Sequence, residues 1–552
     1  MALAAGARKA AAAQGRVART AQGHFIPAPI GGLNAKDSYA LMPETDAIIF
    51  DNFFPQPSWV ELRQGKTTLG TFSGNCETLM GYNALAASTS ELFAAVNTGT
   101  VKSIYRVDNL GGGAAGSPVV GGAGGTVQAI TSTQYDYLQF GNSSVSVLYA
   151  LNGQDDPLLY DGTTWHQITT TSTPYALTGG PTLSSLQFGV VYKQRIWFVQ
   201  AGTFNVYYTQ QTDFAGSLTL LNLGANFVQG GYLQTIVTVS VDNSAGTQDY
   251  IAFISNKGEI VIFQGYDPSQ ASTWYEAAHG MTGVPVGIGR RAWQQLGMDA
   301  ILMTTDGFLL MSQIMLTDRA QTQQAVSDKI RAAVSAAVLN GRTYEGWQVK
   351  LFPAGNKLLI VVPTTASPGS SYLFVQNTLS SAWATWGNVN GELNPYCLEV
   401  FNNLLYMGSA GAVYQLDNAT TEDNGAAITA TVKTAYSYMG DEESLKTWQM
   451  CQPVFNASGN LSLSLTLSVD FDSSVPTGTI PVSVQSQAPW NTSYWNTPTY
   501  WGQATRVIKN WLGLNGEGYC GSLYMSIASQ GLSAKWFSTN FMFNKGGLFN
   551  GP

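Results

Sequence analysis

The sequence predicts a mainly β protein: an irregular β-propeller of six or seven blades followed by a C-terminal β-sandwich-like platform. Three observations carry this expectation. First, only 11% of the 552 residues are charged while 45% are hydrophobic, with 59 Gly, 26 Tyr and 14 Trp. Exposed helix needs far more charge than that, whereas a β-protein surfaced by Ser, Thr, Asn and Gln does not. Second, the stretch 346–417 reads as strand after strand: GWQVKLFP, KLLIVV, SYLFVQ, LLYMG and AVYQLD, each bounded by Gly, Asn, Pro or Ser. Short apolar runs between such residues mark strands joined by tight turns.

Third, the hairpin unit recurs. Hairpins start near 91, 147, 195, 250, 300, 357 and 404, so successive starts differ by 56, 48, 55, 50, 57 and 47 residues. A period close to one four-stranded blade points to a propeller. Ring closure by a split hairpin leaves the count at six or seven.

Taken in chain order, residues 1–30 form an Ala-rich arm carrying Arg8, Lys9, Arg16 and Arg19. It lacks the apolar core of a signal peptide. An arm that orders on assembly, an expression remnant and a disordered tail all fit its composition. The propeller span is 31–425. It opens with a dense segment in which Pro43 and Glu44 suit a helical first turn, and Val60–Arg63 suits a first strand. A Gly/Ala loop at 110–125 is expected to be exposed.

One helix is predicted at 327–340. Ser327 suits its N-cap, Asp328 the positive end of its dipole and Gly341 its stop. Ile330, Val334 and Val338 give it one apolar face for docking onto a blade. The platform is 426–552, where Leu461, Leu463, Leu465, Leu467 and Val469 alternate as in a half-buried strand.

The balance of 26 Lys plus Arg against 34 Asp plus Glu, net −8, excludes tight binding to nucleic acid through a basic cluster. Cys76, Cys397, Cys451 and Cys520 are too widely spaced for a disulfide framework or a CxxC site and read as buried free thiols. No apolar run reaches the ~18 residues of a membrane span.

Catalytic material is sparse. His24, His166 and His279 have no metal-ligand spacing, and neither a GxxxxGK[ST] loop nor GxSxG is present. GIGRRA at 287–292 imitates half of a dinucleotide fingerprint without the surrounding βαβ unit, so it reads as a turn. DGTTW at 161–165 is one residue out of register with a sialidase-type Asp box. Asp155, Asp156 and Asp161 are turn residues before they are glycosidase candidates. The sequence assigns no catalytic, cofactor-binding or metal-binding residue.

Two sets of segments carry a family resemblance. GGLNAKDSYALMPETDAIIFDNFFPQPSWVELRQG resembles the opening of short-tailed bacteriophage tail hub (nozzle) proteins of the tail tubular protein B or packaged-DNA-stabilisation type. That opening has GG-N-R/K-D, DA…LDNWFP and V-L-R-G motifs. SDKIRAAVSAAV, GWQVKLFPAGNKLLIVVP, QNTLSSAWATW, LLYMGSAGAVY and TEDNGAAITATVKTAYSYMG resemble the second half in the same order. The matches cover about half the chain, and Phe53 replaces the usual Trp.

The resemblance implies a structural virion protein, assembled in the host cytoplasm, that closes into a homohexameric nozzle ring. Such a ring lies below the portal–adaptor complex, contacts the head-to-tail connector and the tail fibres or tip needle, retains packaged DNA and conducts it at ejection. The duplex would pass without specific binding. The competing readings are a tail-associated propeller glycosidase or depolymerase and a carbohydrate-binding receptor protein. Candidates for an interface are Asn34, Asp37, Phe53, Phe54 and Trp59 in the opening segment, with Trp490, Tyr494 and Trp495 near the end. Internal packing is the competing reading for each.

Overall fold

The computed structural model describes residues 21–546 apart from 123–124, 126, 128, 143, 244–245, 271, 317–324, 367–368, 390, 460, 475–479, 484–486, 490–499 and 503–505. Its strands build an irregular β-propeller and a second body of two sheets.

The ring is closed by its two ends. Strands Cys397–Phe401 and Leu404–Leu416 pair with Lys66–Tyr82, Glu91–Asn97 and Lys102–Arg106 in one five-stranded sheet. Three four-stranded blades follow, at 136–167, 186–222 and 233–281, and then a three-stranded blade at 293–310. Both faces of these sheets are apolar because each blade is sandwiched between two others. Met80, Phe93, Leu148 and Tyr160 fill the first gap, and Leu138, Tyr149, Ile196 and Phe198 fill the next. Trp197, Phe253, Trp274, Trp293 and Leu302 fill the gaps beyond. Ring pairs there include Trp197 on Trp274 at 5.4 Å and Phe263 on Trp274 at 5.1 Å, both stacked.

This gives five discrete blades, not six or seven, for two reasons. The hairpins that start near 404 and 91 share the closing sheet. The hairpin that starts near 357 lies in a four-stranded sector, 348–386, that is not a free-standing blade. Its last strand, Trp383–Trp386, runs beside Gly32–Leu33 and Asp46–Asp51 in parallel. The sheet continues through Ile428–Thr434, Gly521–Ser529 and Ser462–Val469 to Ile480–Ser483, ten strands in all.

A second, seven-stranded sheet packs over the outer half of this one. It contains Lys446–Ala457 and Ala534–Lys545 from the C-terminal part of the chain, and Phe53–Pro55 and Val60–Leu62 from the opening segment. Residues 22–27, read from the sequence as part of a flexible arm, form a further strand here on Ala534–Lys545. Residues 1–20 of that arm lie outside the described residues. Val432, Leu463, Met525 and Ile527 of one sheet meet Trp448, Phe455, Trp536 and Phe541 of the other in a single core. The opening segment, assigned by sequence to the propeller span, therefore supplies strands to both sheets of this second body.

The helix differs from expectation at both ends. It begins as a 3-10 turn, Asp328–Ile330, and becomes α-helical over Arg331–Gly341. Ser327 does not cap it; the Ser327 hydroxyl accepts the Phe308 N–H at 3.0 Å instead. Gly341 is the last helical residue, with Arg342 still right-handed. Its small size is needed for packing, since a Cβ there would lie 2.7 Å from the Pro363 carbonyl oxygen. Val334 and Val338 dock the helix onto Ile360 and Val362 as their spacing predicts. Pro43–Glu44 makes a turn closed by Asp46 N–H to Pro43 O at 3.0 Å, and no helix follows it.

Gly32 sits where propeller and second body meet. Its φ is +74°, and a Cβ would stand 2.3 Å from the Trp383 carbonyl oxygen. Gly32→Ala is expected to destabilise the protein by about 2–4 kcal/mol, because backbone strain adds to a clash with backbone. Gly99 also has positive φ but faces open space, so Gly99→Ala should cost only about 1 kcal/mol. Denaturant midpoints of the two variants check this, and equal losses would contradict it.

Candidate functional site at the propeller axis

The innermost strands of the blades surround a cavity of about 230 Å³, lined by residues including Thr78, Tyr137, Thr238, Gln294 and Lys350. The short turn Gly289–Ala292 enters it and touches strands of the neighbouring blades. Glycine permits this approach. Gly287 and Gly289 have φ of +90° and +59°, and a Cβ on Gly289 would lie 2.0 Å from Asp136 Oδ2 and 2.7 Å from Phe188 Cβ. The turn carries Arg290 and Arg291 to the axis.

Each charge here has a defined setting. Asp136 Oδ2 accepts the Arg290 backbone N–H at 2.9 Å. Burial raises the Asp136 carboxyl to about 7, and the positive charge of Arg290 only partly offsets it. The Arg291 Nη2 donates to the Glu77 carbonyl at 3.1 Å, the Thr78 hydroxyl at 2.6 Å and the Tyr135 carbonyl at 3.3 Å, tying the closing blade to its neighbour. Arg290 Nη1 donates to the Tyr137 carbonyl at 2.9 Å.

Lys350 Nζ donates to Glu399 Oε2 at 2.9 Å and to the Tyr137 hydroxyl oxygen at 3.2 Å, and the Tyr137 hydroxyl donates in turn to Glu399. Burial, reinforced by Arg290 and Arg291, pushes the Lys350 amine down to about 7. Burial moves the Glu399 carboxyl well above its ordinary value. Both shifts run toward the neutral forms, as they do for an ion pair withdrawn from water. Glu77 is held by the Asn97 amide at 3.0 Å and the Thr133 hydroxyl at 2.5 Å. The axis is thus a charged plug that ties blades together, and its cavity does not pass a DNA duplex.

The sequence-derived candidates lie elsewhere. Phe53 and Phe54 are 1% and 2% exposed and pack inside the chain, out of reach of a partner. Asn34 is buried as well. Its amide donates to Asp37 at 2.9 Å and Asp46 at 2.8 Å, while its carbonyl oxygen accepts the Lys36 and Asp37 N–H groups. Asp37 is exposed, and Trp59 is half-buried beneath the Lys535 ammonium, 4.6 Å from its ring centre. Trp490, Tyr494 and Trp495 lie outside the described residues.

The three turn aspartates do not converge. Asp155 accepts from Thr131 and Asn152, and Asp156 from Gln167. Burial would raise the Asp161 carboxyl, but hydrogen bonds from Thr163, Thr164 and His166 outweigh it and hold the group at about 2. DGTTW is therefore a turn closed by its own aspartate. All four cysteines are buried and free. Among the described residues no three His, Cys, Asp or Glu side chains are grouped as metal ligands.

Sequence reasoning passed over Arg290, Arg291, Asp136, Lys350 and Glu399. One signal was available: GIGRRA sets two arginines in tandem beside flexible glycines, in a chain otherwise poor in charge.

No protein-family model and no curated protein matches the chain. Among solved structures, the β-propeller domain of Cps50 (Swd1) from Myceliophteria thermophila is similar at 10% identity and a TM-score of 0.38, over 64% of this chain and 99% of that one. YCF48 bound to D1 peptide is similar at 9% identity and a TM-score of 0.32, over 66% and 96%. A family 43 arabinoxylan arabinofuranohydrolase from Bacillus subtilis is similar at 11% identity and a TM-score of 0.24, over 90% and 94%. Likeness at this level carries no argument about fold or activity.

The raised carboxyl of Asp136 has a consequence for stability. Its folded value of about 7 lies above its ordinary 3.8, so its stabilising effect is complete below pH 3.8 and is lost as pH rises through 7. Asp136→Asn is expected to flatten the fall in stability between about pH 4 and 7. Denaturant midpoints across that range check this, and an unchanged slope would contradict it.

Proposed function

We propose that the chain is a structural subunit of the tail nozzle of a short-tailed bacteriophage. In this reading copies close into a homohexameric ring below the portal–adaptor complex, retain packaged DNA and conduct it during ejection. The observation that carries the reading is where the resemblance motifs meet. In the opening GGLNAKD…DAIIFDN…VELRQG, Asn34 and Asp46 bond to one another, and Asp46 pairs with Lys329 of SDKIRAA at 2.7 Å. Asp51 accepts the hydroxyl of Thr385, from SSAWATW, at 2.7 Å. Arg63 pairs with Asp423 of TEDNG. Segments some 280 to 360 residues apart thus resemble one family at the positions that join them to one another.

The chemistry of the reading is mechanical. Because the propeller axis is plugged, the DNA conduit would run between copies and not through a blade ring. A subunit of net charge −8 repels a polyanion and lets it slide. The two-sheet body would serve as the platform for neighbouring copies, the connector and the fibres or tip. The protein's place would be the virion tail, and it would carry out no reaction.

Electron microscopy and native mass measurement of the purified protein with its connector partner are expected to give sixfold rings. Monomer alone under those conditions would overturn the reading. Incubation with host polysaccharide is expected to release no reducing sugar, and release would favour the depolymerase alternative.

A further inference from the structure

Of the tandem arginines of GIGRRA, Arg291 has a mechanical role, because its Nη2 bridges two blades. Arg290 does not. It spends one donor on the Tyr137 carbonyl, where a guanidinium has five. Although ringed by the inner strands, its side chain remains exposed. Among the described residues neither guanidinium has a carboxylate as an ion-pair partner; their donors go to backbone carbonyls and the Thr78 hydroxyl.

Lys350 lies on the same wall, but its amine is already engaged by Glu399 and the Tyr137 hydroxyl. The nearby carboxylates do not balance the two arginines. Asp136 is engaged by the turn's backbone N–H, and Glu399 by Lys350 and Tyr137. Burial also drives both carboxyls toward their neutral forms, a route to neutrality that arginine does not share. Gln294 and Thr238 supply uncharged hydrogen-bonding groups around the remaining wall.

We propose that the axial cavity is a binding site for one small oxyanion, phosphate or carboxylate, held by Arg290 with Arg291 beside it on the same wall. Planar guanidinium donors match both anions bidentately. A volume of about 230 Å³ corresponds to about eight waters at their liquid density. It accepts such an ion with part of its hydration and excludes a polymer. The site belongs to a single chain and stands independently of ring formation.

The test is calorimetric titration of the full-length protein at constant ionic strength, with inorganic phosphate in one arm and malonate in the other. Saturable binding of one ion per chain is expected in at least one arm, and the tighter arm identifies the anion class. Arg290→Gln is expected to weaken it about tenfold or more, the effect of losing one charged hydrogen bond. Arg331→Gln, on the exposed helix face, is expected to leave it unchanged. Absence of saturable binding in both arms, or equal affinity in Arg290→Gln, overturns the proposal. A map of the wild-type protein loaded with the tighter anion decides the location without any variant. Density within hydrogen-bonding reach of Arg290 is expected, and density only elsewhere overturns the assignment.

Discussion

The Arg63 guanidinium is fully buried, and the rest of the architecture is arranged to satisfy it. Its Nε donates to Asn52 Oδ1 at 2.8 Å and its Nη1 to Asp423 Oδ1 at 2.9 Å, while Nη2 pairs with Asp423 and stands 3.6 Å from Glu392. Asn52, itself at φ +58°, passes the network on to Glu392 at 3.0 Å and the Thr429 carbonyl at 2.8 Å. A buried charge deprived of its partner costs about 3–5 kcal/mol, yet an intact buried pair adds little over apolar packing. The network therefore acts chiefly on specificity. It admits one register in which the opening segment, Glu392 and the strand Ile428–Thr434 all meet.

That join fuses two architectures that would otherwise be separate. A free propeller blade ends at solvent on its outer strand, whereas Trp383–Trp386 is followed by the opening segment and then by the second body. Trp383 and Trp386 are fully buried, and their indole N–H groups donate to the Val326 and Phe53 carbonyls at 3.2 and 3.1 Å. Large aromatic area and satisfied polar edges make this seam a continuation of the core. At the axis the opposite holds. Charge and amide groups replace apolar packing, and the ring encloses a small polar chamber.

Strand content and hairpin rhythm were legible because alternating apolar runs and Gly/Asn turns are local signals. Blade number was not, because it depends on which edge each hairpin pairs with. Nothing in SYLFVQ or SSAWATW announces that the next strand in the sheet comes from residues 32 and 46. The aromatic run Phe53–Phe54 shows the same limit. An apolar pair ahead of a proline suits an interface as well as a core, and only its pairing with Glu61–Leu62 together with the distant Trp386 puts it inside. The helix was placed correctly from its period of apolar residues, but its ends were not, because Ser327 and Gly341 answer to Phe308 and Pro363, which are distant from the helix's own termini in sequence or lie on another strand. The axial cluster escaped because Asp136, Arg290, Lys350 and Glu399 come from four strands or turns whose neighbours in sequence are unremarkable.

The dependence of propeller and second body on one continuous sheet is tested most directly by native-state hydrogen exchange read by mass spectrometry. Segments 46–51, 383–386, 428–434 and 521–529 are expected to exchange together at the slowest rate, as one cooperative unit. If 46–51 instead exchanges early while 383–386 stays protected, the opening segment is an appendage to a self-sufficient ring, and the join described above does not hold the molecule together.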